Sequence, residues 1–188
     1  LNVTVDGAQQ TSTLFHHIGR VTIDPDLLRQ IDVQAGAGEA ISGPGAIGGS
    51  IRFQTKDAHD LLDQEEQFGG RVKASYFSNE GTRYSGSIYT KLGETWGVLG
   101  YYSTIDRNNM EDGDGDEIYG TAADQDMLFV KASGDIAKNH YLSLSVEQRD
   151  ETGAFSARPN WAVQEGDALY ASEAERDTLV ANYRFAHN

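Results

Sequence analysis

From Phe68 to the C-terminus, apolar residues recur at every second position. Val72, Ala74 and Tyr76 alternate with Arg71, Lys73 and Ser75, which is the period of a β-strand whose successive side chains point to opposite faces. Ile88 and Leu92 stand against Ser87 and Lys91 in the same way. Leu128, Val130, Ala132 and Ile136 oppose Lys131, Ser133 and Asp135; Leu142, Leu144 and Val146 oppose Ser143, Ser145, Glu147 and Arg149. Leu179, Ala181, Tyr183 and Phe185 then oppose Asn182 and Arg184. The pattern predicts about six strands, each with one apolar and one polar face.

The connections carry a second regularity. SNEGTR (Ser78 to Arg83) reads as a hairpin, followed by LGET, a long acidic stretch from Asp106 to Asp126, AKNH, and a long link from Gly153 to Asp177. After the first, short and long links alternate. An up-and-down transmembrane barrel has short periplasmic turns and long extracellular loops. A soluble sandwich permits the same alternation without requiring it.

The segment from Leu1 to about Asp57 has a different texture and reads as mixed α/β. LNVTVDG alternates like a strand that ends in a turn, and Asp24 is expected to cap a short helix with Pro25 at its first position. Ile31 and Val33 then alternate as a strand that Gly36 stops. GPGAIGG, Gly43 to Gly49, fits the G-x-G-x-x-G string of dinucleotide-binding loops. That chemistry needs a helix after the glycines, because the pyrophosphate sits on helix N-terminal amides. Here Ile51 and Phe53 alternate with Arg52 and Gln54. A strand follows instead, and the phosphate reading fails; the glycines are expected to permit tight turns and close backbone approach.

Composition narrows the classes further. The net charge is −14, from 15 Lys plus Arg against 29 Asp plus Glu, which argues against the clustered cations that nucleic-acid binding needs. Cysteine is absent, so disulfide frameworks, thiolate metal sites and cysteine nucleophiles are excluded together. No apolar run approaches the ~18 residues of a membrane helix, but alternating barrel strands escape that test, and a mean hydropathy of −0.51 does not exclude a membrane barrel. LNVTVDG has neither a basic n-region nor an apolar h-region, so the chain is expected to begin inside a longer protein.

Candidate chemistry is sparse. In DRNNMEDGDGDEIYG, Asp112, Asp114 and Asp116 alternate like the opening of an EF-hand loop and are the candidate metal ligands. Glu117 replaces the glycine of the sixth position and Ala123 the glutamate of the twelfth, so a true EF-hand is not expected. The competing reading is a solvated acidic loop. Tyr76, Trp96, Tyr101, Tyr102 and Tyr183 fall near strand ends or on outward faces, where an aromatic girdle or ordinary cross-strand packing would use them. His59, His140 and His187 share no ligand spacing and read as structural. No nucleophile, base and orienting residue assemble from local spacing, so an enzyme is not expected.

IDPDLLRQIDVQAGAGEAISGPGAIGGSIRFQTKDAHDLL, Ile23 to Leu62, resembles the second half of the plug domain of TonB-dependent outer-membrane receptors. That pattern is a DP-led short helix, a strand, a glycine-rich segment, then GSGALGG and a strand ending in T-x-D-A. LNVTVDGAQQ resembles the plug's earlier strand and turn. The chain departs from the pattern where many relatives have R-G-P and it has Ala35-Gly36-Ala37-Gly38. The resemblance implies a mixed α/β plug domain followed by antiparallel up-and-down transmembrane β-barrel strands. It divides the chain into part of the plug (1–57), a linker (58–67) and the first barrel strands (68–188) of a 22-stranded barrel.

Within the family the look is nearest to haem and haemoprotein receptors. FHHIGRVTIDP sets His17 eight residues before Pro25, at the spacing of an apical histidine, and DAHDLL echoes the junction of those receptors. The resemblance implies that His17, with His16 beside it, binds ligand and that no cofactor is intrinsic. Haem iron suits an imidazole ligand; a ferric siderophore is the alternative cargo, and an exposed polar pair on a loop is the alternative role for the histidines. The implied partners are the TonB-ExbB-ExbD energy-transducing complex, the haem, haemoprotein or siderophore ligand, and outer-membrane lipid, with no nucleic acid. The implied location is the outer membrane of a Gram-negative bacterium. From the residues alone, a secreted all-β binding or adhesion domain with a cation-binding acidic loop stays open.

Overall fold

The computed structural model describes residues 2–10, 23–36, 43, 46–78, 81–156, 163–164 and 166–187. His16 and His17 lie outside the described residues. The N-terminal segment builds a small sheet in the order β2-β1-β4-β3 from β1 (Asn2–Val5), β2 (Ala8–Gln9), β3 (Leu28–Ala35) and β4 (Gly49–Thr55). β1 runs parallel to β4, and the other pairs are antiparallel.

The helix cue at Asp24-Pro25 produces a single 3-10 turn, Pro25–Leu27. Asp24 caps it as expected: its carboxylate accepts from the Asp26 N–H at 3.0 Å, and Pro25 occupies the first turn. Propagation stops there because Leu28 is already extended and pairs with Thr55, so the ladder of β3 claims the residues a second helical turn would need. The helical part of the mixed α/β expectation is not shown among the described residues. Among the described residues this segment is a sheet joined by 3-10 turns.

GPGAIGG runs through a 3-10 turn, Ala46–Gly48, into β4. Gly49 has φ +114°, and a Cβ there would overlap the Gln34 carbonyl oxygen across the β3–β4 ladder. Glycine is required by close backbone approach, with no phosphate involved.

The remaining chain forms a second sheet in sequence order: β5 (Phe68–Phe77), β6 (Gly81–Leu92), β7 (Trp96–Arg107), β10 (Ala123–Ala137), β11 (His140–Phe155) and β12 (Tyr170–Phe185). Every neighbouring pair is antiparallel. A small hairpin, β8 (Met110–Glu111) with β9 (Glu117–Ile118), sits in the link between β7 and β10. Links 93–95 and 138–139 are short, with Asn139 at φ +67° in the latter, while 108–122 and 156–169 are long. The strand ends that the long links join lie at one end of the sheet together with the short β5–β6 link, and the turns 93–95 and 138–139 lie at the other. The expected SNEGTR hairpin is tighter than its sequence suggested, since Gly81 to Arg83 already belong to β6.

The two faces of this sheet are reversed relative to a water-soluble fold. Val72 is 90% exposed, Ile88 73% and Leu179 78%, whereas Ser133 is 1% and Lys131 6% exposed. Leaving such side chains in water would forfeit roughly 1.5–3 kcal/mol each, so an apolar outer face running across six strands is suited to lipid. The inner face packs against the N-terminal sheet. There Leu99, Tyr101, Met127 and Phe129 bury against Leu27 of the 3-10 turn and Ala58 of the following segment.

Candidate functional site

Two buried polar clusters join the small sheet to the inner wall. The first is centred on Asp24. Besides capping its own turn, its carboxylate accepts from the Arg83 guanidinium and the Tyr101 hydroxyl in short contacts, and from Ser103 Oγ at 3.2 Å. Arg83 also reaches Asp26 at 3.0 Å and Tyr101 Oη at 2.7 Å, and Lys73 pairs with Asp26 at 3.1 Å. A buried carboxylate of this kind is tolerable only because a charge and several donors converge on it. Tyr101, expected near a strand end or on the outer face, instead points inward and is 5% exposed. Alternation from Tyr102, which is half exposed, decides the matter: adjacent residues on a strand cannot share a face.

The second cluster lies nearer the short-turn end and is centred on Lys131 of β10. Its ammonium pairs with Asp57 at 2.9 Å and Asp6 at 3.6 Å, and donates to Thr55 at its carbonyl oxygen (3.2 Å) and its Oγ1 (3.0 Å). Asp6 in turn accepts from the Thr55 N–H and hydroxyl, and Tyr141 Oη donates to Asp57 at 2.7 Å. Burial alone would raise the Asp57 carboxyl; Tyr141 and Lys131 outweigh it and hold the group below the ordinary carboxylate value. One cation of the six-stranded sheet therefore ties together the β1–β2 turn, the end of β4 and the segment that leaves it.

Between that cluster and the polar face of the small sheet lies a cavity of about 720 Å³. Thr4, Arg52 and Gln54 line it from the sheet, and Tyr141, Asn182 and Arg184 from the wall. Asn182 donates to the Asp6 carbonyl at 2.9 Å, anchoring the β1–β2 turn to β12.

The acidic loop has its own internal order. Asp112 Oδ1 accepts from the backbone N–H groups of Asp114 (2.9 Å) and Asp116 (3.0 Å), which hold the Asp112 carboxyl below its ordinary value. Asn109 fixes the base of the loop by accepting from the Thr121 and Ala122 N–H groups. Among the described residues no group of three or more His, Asp or Glu side chains is arranged to hold a metal ion. His140 and His187 flank Phe185 in a ring cluster in which His140 Nδ1 bonds the Tyr183 hydroxyl at 2.5 Å. Sequence reasoning missed Asp24, Arg83, Asp57 and Lys131 as a set. The only available signals were the DP pair and charged residues on the polar faces of strands.

Residues 1–50 match the family model described as the TonB-dependent receptor plug domain. The heme transporter BhuA of Brucella abortus is 36% identical over 186 residues, covering 97% of this chain and 27% of the relative. The TonB-dependent heme receptor A of Haemophilus influenzae is 26% identical over 147 residues, 77% of this chain and 20% of that protein. The solved FrpB iron transporter of Neisseria meningitidis (F5-1 variant) superposes with a TM-score of 0.82 at 27% identity, over 97% of this chain and 30% of that one. The chain thus spans less than a third of the length of these relatives. Sequence and backbone agree along nearly the whole chain, and the chain belongs to the TonB-dependent receptor family.

Proposed function

We propose that the full-length protein is an outer-membrane receptor that imports haem, or haem taken from a haemoprotein, with energy delivered by the TonB-ExbB-ExbD complex. The observation that carries the cargo is the 36% identity to a heme transporter across nearly the whole chain. In this reading 1–57 is the later part of the plug, 58–67 the linker, and 68–188 the first strands of a barrel that closes in the complete protein. Closure follows from the physics of lipid, where an unpaired strand edge is not tolerated. The protein performs selective binding and gated passage, without covalent chemistry. His17, with His16 beside it, supplies an imidazole to the haem iron on the outer side of the plug. Ligand binding biases the plug toward a state the energy-transducing complex engages. A non-haem ferric chelate such as a siderophore is the second reading, favoured by the likeness to the FrpB iron transporter.

Haem titration of the purified full-length receptor tests this. The wild type is expected to show a Soret band characteristic of histidine-ligated haem, and His17→Ala to shift that band and weaken binding. An unchanged spectrum and affinity removes His17 as a ligand; absence of haem binding by the wild type, with tight binding of a ferric siderophore, selects the second reading.

A further inference from the structure

The 720 Å³ cavity between plug and wall has a charge bias that the chain as a whole lacks. The protein carries a net charge of −14, yet Arg29, Arg52, Lys131 and Arg184 line this space against Asp6, Asp32 and Asp57. Asp6 and Asp57 are both committed to Lys131. Asp32 stands opposite Arg52 in the β3–β4 register but accepts from the Gln30 and Gln54 amides at 2.8 and 3.4 Å. Among the described residues, Arg52 makes no ion pair, and Arg184 lies over the Tyr141 ring at 4.9 Å without a carboxylate partner. Two guanidinium groups, one on the plug sheet and one on the barrel wall, thus border one polar space with their forks uncommitted.

Position adds a second argument. Tyr141 and Arg184 pair beside the short turn at 138–139, with Lys131 farther along β10, whereas Arg83 and Ser103 hold Asp24 toward the long links. A ligand admitted at the long-link end and leaving at the other must pass the level of this cavity. We propose that Arg52 and Arg184 form a transit site for the carboxylate groups of the cargo, engaging them after they leave the outer binding site. Arginine suits the task because its planar fork takes a carboxylate in two parallel hydrogen bonds. The proposal rests on the haem reading, since haem presents two propionate carboxylates.

The test uses full-length receptor in the outer membrane, with hemin as the probe. Binding to the receptor and delivery to the periplasm are measured separately for wild type, Arg52→Gln, Arg184→Gln and the two Lys variants, each normalised to receptor level. The Gln variants are expected to bind hemin with wild-type affinity and to deliver it roughly tenfold more slowly, the scale of one lost charge-assisted hydrogen bond, while the Lys variants recover part of the rate. Unchanged delivery by the Gln variants overturns the site, as does an equal loss in Gln and Lys variants, which would mark a packing role. A loss of hemin binding in step with delivery also overturns it, because the arginines would then belong to the outer site. Wild-type receptor that does not bind hemin defeats the haem reading itself, and is distinguishable from all three.

Discussion

Replacing Lys131 by methionine keeps most of the side chain's length and removes its charge. The ammonium is buried, 2.9 Å from Asp57 and 3.6 Å from Asp6, and also donates to Thr55. Deleting one partner of a buried ion pair typically costs 3–5 kcal/mol, because the other partner stays buried and uncompensated. Here the carboxylates keep other donors: Asp57 retains Tyr141, and Asp6 retains the Thr55 N–H. The lower end applies, about 3 kcal/mol, or on the order of a hundredfold in the equilibrium that detaches this edge of the plug from the wall. Hydrogen exchange on the full-length receptor reads it directly. The Thr55 amide is bonded to Asp6, and the Lys56 amide to the Leu27 carbonyl, so both report opening of this edge. Their exchange should accelerate by that factor in Lys131→Met, and Asp57→Asn added to it should recover part of the protection. A change below about 0.5 kcal/mol, or strict additivity of the two substitutions, would falsify the claim that Lys131 holds the plug through its charge.

Two further outcomes follow from the same geometry. Asp57 is held below its ordinary value of 3.8 in the folded protein, so it binds its proton more readily when unfolded. Its contribution is therefore fully present above about pH 4 and is lost as the pH falls through the lower folded value. Exchange protection at Lys56 should be flat from pH 7 to about 5 and drop below 4, and Asp57→Asn should abolish that drop; the same slope in the variant sinks the assignment. On the outer face, Leu179→Lys places a charge on an exposed apolar position midway along β12. Folding of the complete barrel into lipid vesicles should weaken by about 2–4 kcal/mol if the position lies near the bilayer midplane, and no effect would place this face in water.

The alternation of apolar and polar residues was enough to place β5, β6, β10, β11 and β12 and the outward side of each, though not β7, because a period of two is set locally by the pleat. The same local logic excluded a phosphate loop at GPGAIGG, and the Asp24-Pro25 cap was readable from two residues. Strand lengths were less accessible. β10, β11 and β12 run for 15 to 16 residues, longer than the ~9–11 needed to span a bilayer, since beyond the lipid the ladder continues without an apolar face to announce it.

What lies on the inner face was settled only by tertiary structure. Tyr101, Met127 and Phe129 are aromatic or apolar residues on the face that otherwise carries polar side chains, buried there against Leu27 and Ala58. Their surroundings are set by a plug that comes from a distant part of the chain. Lys131 likewise reads as one more polar position on an alternating strand until the fold brings Asp6, Thr55 and Asp57 to it. The sequence determined the two faces of the sheet because each residue's side follows from its neighbours. The partners across the interface were decided by the three-dimensional fold, because burying a charge makes sense only when its counter-charge, remote in sequence, has arrived.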